Sequence, residues 1–238
     1  MMNIFPGGSS NTGLRSKTDD VMRNLFGRSQ NDTQASTSPT VLTGPRMPRH
    51  SSAWKDMLKY LKSEQGLRIL DIGPTSPTNI NFLTTLGHGV YMADVVNEAL
   101  HGNWMSVPDE SGTTRFDVEG FLDNNLDFAG REFDVILLWT TLDYIPNDLV
   151  SPLIKRLRSC MRPGGRVLTF FHTRNNGRDS NFCRYHVTDT DSIEVQESTT
   201  YNVQQLYTNR TIEKLFESYA NTKFFLAKDN LYEVIITR

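Results

Sequence analysis

Apolar positions along this chain recur with two periods that alternate. Trp54, Met57, Leu58 and Leu61 fall at i, i+3, i+4 and i+7, so SAWKDMLKYLK predicts an amphipathic helix capped by Ser51 or Ser52. LRILDI then predicts a strand over 68–72, followed by a helix over about 77–86 and a strand at GVYMAD, 89–94. A short strand is expected at TTRFD, 113–117, and a helix through EGFLDNNL. The nearly all-apolar FDVILLW, 133–139, predicts a buried strand, with a helix over about 148–161 and a strand at RVLTFFH, 166–172. Apolar strands alternating with helices imply a mostly parallel sheet covered on both faces, a doubly wound α/β domain. The last third departs from that rhythm. CRYHV and SIEVQ, separated by TDTD, predict a hairpin, and TNRTIEKLFESYA predicts a helix with Ile212, Leu215, Phe216 and Tyr219 on one side. KFFLA and LYEVIITR are joined by too short a link for a crossover helix, so that pair is expected to be antiparallel.

The first 50 residues lack any such pattern. Rich in Ser, Thr, Asn, Gly and Pro, they offer little to bury against the entropy of ordering, and a disordered tail (1–50) preceding one domain (51–238) is expected. Within the tail, DDVMRNLFGR places Val21, Met22, Leu25 and Phe26 on one helical face, either as a motif for a protein partner or membrane or as a chance apolar patch. Composition narrows the classes. With 25 basic and 27 acidic residues, no broad basic face suggests nucleic acid and no polybasic cluster suggests anionic lipid. The two cysteines, Cys160 and Cys183, exclude a disulfide framework and agree with a reducing, cytoplasmic setting. No run of about 18 apolar residues suggests a membrane span, and no secretory signal is expected. His88, His101, His172 and His186 show no metal-site spacing, so no required metal is expected.

The chemistry concentrates at LDIGPTSPTN. In open α/β sheets, ligands sit beyond the carboxyl ends of the strands beside the first one, where this stretch lies. Gly73 permits a sharp turn, Ser76 suits an N-cap and Pro77 suits the first helical position. A diphosphate needs glycines and close backbone N–H groups, whereas Pro74 and Pro77 remove donors and Thr75 and Ser76 add bulk. The prolines thus disfavour a nicotinamide dinucleotide and suit a nucleoside without phosphate. Asp94 closes the second strand where a carboxylate can accept from both ribose hydroxyls. Asp71 is placed to orient the turn or meet an ammonium, and Asp117 to accept from an exocyclic adenine amine. Acids at strand ends are also common helix caps, the plainer reading of each.

From LRILDIG, VYMAD, RFDVEGF, FDVILLWTTLDYIP and MRPGGRVLTFFH, the chain over about 67–238 resembles the class I S-adenosylmethionine-dependent methyltransferases of small-molecule type. The resemblance implies a Rossmann-like, seven-stranded sheet whose last strand lies antiparallel between the fifth and sixth. It further implies S-adenosyl-L-methionine as cofactor, with Gly73 and its neighbour Thr75 around the methionine part, Asp94 at the ribose, Asp117 and Val118 at the adenine, and Trp139 beside the methionine. The family's usual glycines are replaced by Thr75 and Pro77. Catalytic candidates follow the fourth and fifth strands: Asp143, Tyr144 and His172, the last as general base. Each has a structural alternative: a cap, a packed ring and a hydrogen-bonded loop histidine. The polar segment 173–207 is expected to wall the acceptor site, its Arg174, Arg178 and Arg184 favouring an anionic acceptor, unless it is a solvated loop. The expected activity is methyl transfer to a small molecule. The alternative is an inactive, methyltransferase-like binding or regulatory module.

Overall fold

The computed structural model describes residues 44–74, 76–105, 108, 111–175, 181–198, 201–227 and 229–238. The expected tail up to residue 43, including DDVMRNLFGR, lies outside the described residues, as do Thr75 and Arg178. The chain order is β1 (Arg46–His50), α1 (Ser52–Ser63), β2 (Arg68–Ile72), α2 (Pro77–Thr85), β3 (Gly89–Ala93), α3 (Val95–His101) and α4 (Val118–Asn125). Then follow β4 (Phe133–Trp139), α5 (Thr141–Tyr144), α6 (Asn147–Ser159), β5 (Met161–His172), β6 (Cys183–Val187), β7 (Ser192–Glu197), α7 (Asn209–Leu215), β8 (Asn221–Phe225) and β9 (Leu231–Thr237).

The main sheet has six described strands in the order β3-β2-β4-β5-β9-β8. β2 runs parallel to β3 and β4, and β4 parallel to β5, while β9 is antiparallel to both β5 and β8. Every residue of β4 is buried because both sheet faces are covered. Ile136 and Leu138 join the core built by α3, α4 and α6, whereas Val135, Leu137 and Trp139 join the one beneath α1 and the β6–β7 hairpin. α1 begins where the Trp54 backbone N–H donates to Ser51 Oγ (3.0 Å), and Trp54, Met57, Leu58 and Leu61 are all buried.

Two expectations change. TTRFD does not form a seventh strand: Phe116 makes one isolated antiparallel bridge with Met105. Ser111 to Arg115 are exposed, so a strand there would have no face to bury, and Asp117 already caps α4. Conversely, Arg46–His50 is not tail. It pairs antiparallel with β7 to form a second, three-stranded sheet, β1-β7-β6. Pro48 is tolerated because β1 is an edge strand. This small sheet positions the site. Among the described residues no helix is long and apolar enough to cross a membrane.

Candidate active site

The loop after β2 is built as its residues dictate. Ser76 Oγ accepts from the Asn79 N–H (3.2 Å), Pro77 opens α2, and the Gly73 N–H donates to Ala93 O (2.9 Å). A side chain at Gly73 would meet the Trp139 ring at 3.4 Å, so the indole lies directly against the turn. Trp139 has φ of 48°, a left-handed conformation that persists in a bulky residue only when its surroundings over-determine it. Three contacts do so. Its indole N–H donates to Asp71 Oδ1 (2.7 Å), its ring stacks on Tyr185 (5.0 Å, 10°), and its carbonyl accepts from Thr169 Oγ1 (2.9 Å).

Asp71 is therefore a structural hub. Its Oδ2 accepts from Asn79 Nδ2 (2.9 Å), which also donates to Tyr185 O (3.0 Å), while Asn79 Oδ1 accepts from the Val187 N–H (2.8 Å). The carboxylate thus ties the turn to the hairpin. Burial pushes Asp71 up to about 6, against the two hydrogen bonds that favour its ionised form.

Asp94 and Asp117 both act as caps. Asp94 Oδ1 accepts from the Asn97 N–H (3.3 Å) and Asp117 Oδ1 from the Gly120 N–H (3.0 Å). Asp94 is half-buried and Asp117 exposed at the carboxyl edge of the sheet, with Val118 half-buried beside it. Capping occupies one oxygen of each without enclosing the side chain.

A second cluster forms where β4 and β5 end. Asp143 Oδ2 accepts from both the His172 backbone N–H (2.8 Å) and the His172 Nδ1–H (2.7 Å). An ionised carboxylate can only accept, so it holds the imidazole proton on Nδ1 and leaves Nε2 with its lone pair. Asp143 is fully buried, its Oδ1 has no hydrogen-bond partner, and burial pushes its carboxyl up to about 6. The Tyr144 ring packs edge-on against His172 (5.8 Å) and Phe182 (5.1 Å). Tyr144 is fully buried, and burial raises its hydroxyl well above the usual range.

His172 lines a cavity of about 580 Å³ between the two sheets, with Met47, Arg49, Cys183, Tyr185, Asp229 and Leu231 among its other walls. That size suits a small molecule. Neither Arg174 nor Arg184 lines it. Arg49 does, but it is already held by Asp229 (2.6 Å) and Glu233 (2.6 Å), carboxylates that outweigh burial and raise its pKa. Alternation along β6 turns Cys183 and Tyr185 toward the cavity and Arg184 away from it, while Arg178, expected with Arg174 and Arg184 to favour an anionic acceptor, lies outside the described residues. His186, on the same face as Arg184, receives the Ser76 hydroxyl at Nδ1 (2.8 Å) and meets Gln196 Oε1 at Nε2 (3.1 Å). Burial lowers its pKa, in keeping with a neutral ring.

Sequence reasoning did not find Asn79, Met47, Arg49 or Asp229. Asn79 carries no signal beyond its place in the first turn of α2, and RMPRH has neither alternation nor an apolar run. Among the described residues no three His, Cys, Asp or Glu side chains gather as a metal site.

Residues 48–219 match the family described as "Methyltransferase domain", and the chain belongs to it. It is a class I S-adenosylmethionine-dependent methyltransferase. Among solved structures, it is similar to a 1,6-didemethyltoxoflavin-N1-methyltransferase of Burkholderia thailandensis with bound 1,6-didemethyltoxoflavin and S-adenosylhomocysteine. That match has 14% identity, covers 93% of this chain and 86% of that one, and has a TM-score of 0.43. The PH0226 protein of Pyrococcus horikoshii is 12% identical over 78% of this chain and 87% of its own, with a TM-score of 0.46. A magnesium protoporphyrin IX methyltransferase of Synechocystis with bound S-adenosylhomocysteine is 12% identical over 94% of each chain, with a TM-score of 0.42. No curated protein matches.

The residues at the sheet edge fit the family's cofactor in one testable respect. S-adenosylmethionine carries a carboxylate, and Arg184 keeps a buried Nε without a partner on the face of the hairpin that meets Ser76 through His186.

Proposed function

We propose that the methyl acceptor is a small molecule seated in the cavity between the two sheets, and that His172 removes its proton as general base. The paired hydrogen bonds from His172 to Asp143 at the cavity wall carry this reading. When bound, the cofactor supplies a methyl group already activated on a sulfonium. Gly73, Thr75, Asp94, Asp117, Val118 and Trp139 are the residues proposed to hold it, with Asp71 keeping the turn in shape. His172 Nε2, which makes no hydrogen bond among the described residues, accepts the proton from an acceptor O–H or N–H, and Asp143 stabilises the imidazolium that results. Asp143 and Tyr144 do not line the cavity and act through His172 as positioning residues. With Arg49 outnumbered by Asp229 and Glu233, and with Glu197 also on the wall, the cavity disfavours an anionic acceptor and suits one bearing a hydroxyl or amine.

The test is transfer of labelled methyl from S-adenosylmethionine to a panel of small hydroxyl- and amine-bearing compounds, with the native protein and His172→Ala. Loss of transfer in the variant, with cofactor affinity retained, supports the assignment. A variant as active as the native protein would overturn it. Cofactor binding without transfer to any compound would favour the inactive-module alternative.

A further inference from the structure

Arg184 is the one charged group among the described residues whose burial leaves a guanidinium nitrogen, Nε, without any hydrogen bond. It forms no ion pair among the described residues either. A guanidinium does not deprotonate to escape its surroundings, so in this half-buried side chain the enclosed Nε–H carries a standing desolvation cost. The neighbourhood adds to that cost. Gln196 is paired in register with Arg46 on one side and Arg184 on the other, so the three side chains form one row across β1, β7 and β6 on the same face. Burial and the like charge of Arg46 both work against the Arg184 cation, and Asp94 offsets them only in part, without forming an ion pair with it. Arg46, by contrast, is satisfied by Thr78 Oγ1 (3.1 Å) and Glu194 (3.4 Å).

The row faces the start of α2. His186, two residues along the same strand face and so about 7 Å from Arg184, touches Ser76, and Arg46 reaches Thr78. Arg184 thus stands on the hairpin face whose neighbours reach Ser76 and Thr78, near enough to Asp94 to feel its charge, and turned away from the cavity.

We infer that Arg184 is a cofactor-binding residue that pairs with the carboxylate of the amino-acid end of S-adenosylmethionine. The inference rests on the cofactor placement proposed above. It assigns to the β6–β7 hairpin two tasks on opposite faces: Cys183 and Tyr185 shape the acceptor cavity, while Arg184 supplies the anion contact that the prolines withhold from the turn. The ion pair forms only on binding, when the carboxylate relieves the unpaired cation.

Calorimetry with two ligands tests it: S-adenosylhomocysteine, which carries the carboxylate, and 5′-methylthioadenosine, which lacks the whole amino-acid end. Arg184→Gln is expected to weaken S-adenosylhomocysteine by about tenfold to a hundredfold, the range for a charge-assisted hydrogen bond, and to leave 5′-methylthioadenosine within about twofold. Arg184→Lys should recover part of the loss. In the absence of ligand, Arg184→Gln should unfold at the native temperature or above it, because no hydrogen bond of the buried Nε is lost. Equal weakening of both ligands, or unchanged affinity for S-adenosylhomocysteine, would overturn the assignment of Arg184 alone. A native protein that binds neither ligand would overturn the cofactor placement, and the inference with it.

Discussion

Asp71 and Asp143 stand near the carboxyl ends of neighbouring strands, both are buried, and burial pushes both up to about 6. Their surroundings differ. Asp71 has each oxygen engaged, one by Asn79 and the other by Trp139, and its work is to lock the turn, the strained Trp139 and the hairpin together. Asp143 spends one oxygen on two donors from a single residue, His172, and leaves the other without a partner. A satisfied buried carboxylate organises a fold. A half-satisfied one beside a cavity keeps charge available to the imidazole it orients, as sites that need perturbed groups do.

The contrast breaks most sharply at the proposed base, His172. His172→Ala is expected to lower kcat by about 10²–10⁴ with little change in cofactor affinity, measured by labelled methyl transfer and calorimetry. Asp143→Asn keeps an oxygen for the two His172 donors but loses the negative charge, so kcat should fall by about a hundredfold while the fold persists. In the native protein, kcat should rise through about pH 6 as Asp143 ionises, and the Asn variant should lack that limb.

Asp71→Asn should do the reverse. It sets a new amide N–H₂ group against an existing donor, Asn79 Nδ2 or Trp139 Nε1, and should cost about 1–3 kcal/mol in urea unfolding, with a smaller effect on kcat than either dyad substitution. Stability should also depend on pH. Each carboxyl binds its proton more tightly folded than unfolded, so the stability it lends is complete below its ordinary value of 3.8 and is lost as pH rises through about 6. Relative to Asp143→Asn, the native protein should therefore lose at most about 1.4 kcal/mol per pH unit across that window. Urea midpoints of both proteins from pH 4 to 7 check the sign.

Much of the fold was legible because apolar periodicity reports burial directly. FDVILLW reads as a strand buried on both faces, and all seven of its residues are buried. Trp54, Met57, Leu58 and Leu61 read as one helical face, and all four pack inward. TTRFD misled because β-branched residues favour a strand only where a neighbouring layer gives them a face to cover. RMPRH was missed for the opposite reason: an edge strand earns its place through backbone pairing with β7, and main-chain hydrogen bonds leave no mark on side-chain pattern.

The sequence by itself determined the doubly wound order of elements, the tight proline-bearing turn, and the acidic and histidine candidates at strand ends, because these follow from local periodicity and capping chemistry. Only the tertiary structure decided what each candidate touches. It joined Asp143 to His172 across 29 positions and gave Asp71 to Trp139 across 68. It also turned Arg184 away from the cavity its neighbours line. Charge, tautomer and exposure depend on what surrounds a side chain in space, and a linear pattern does not carry that information.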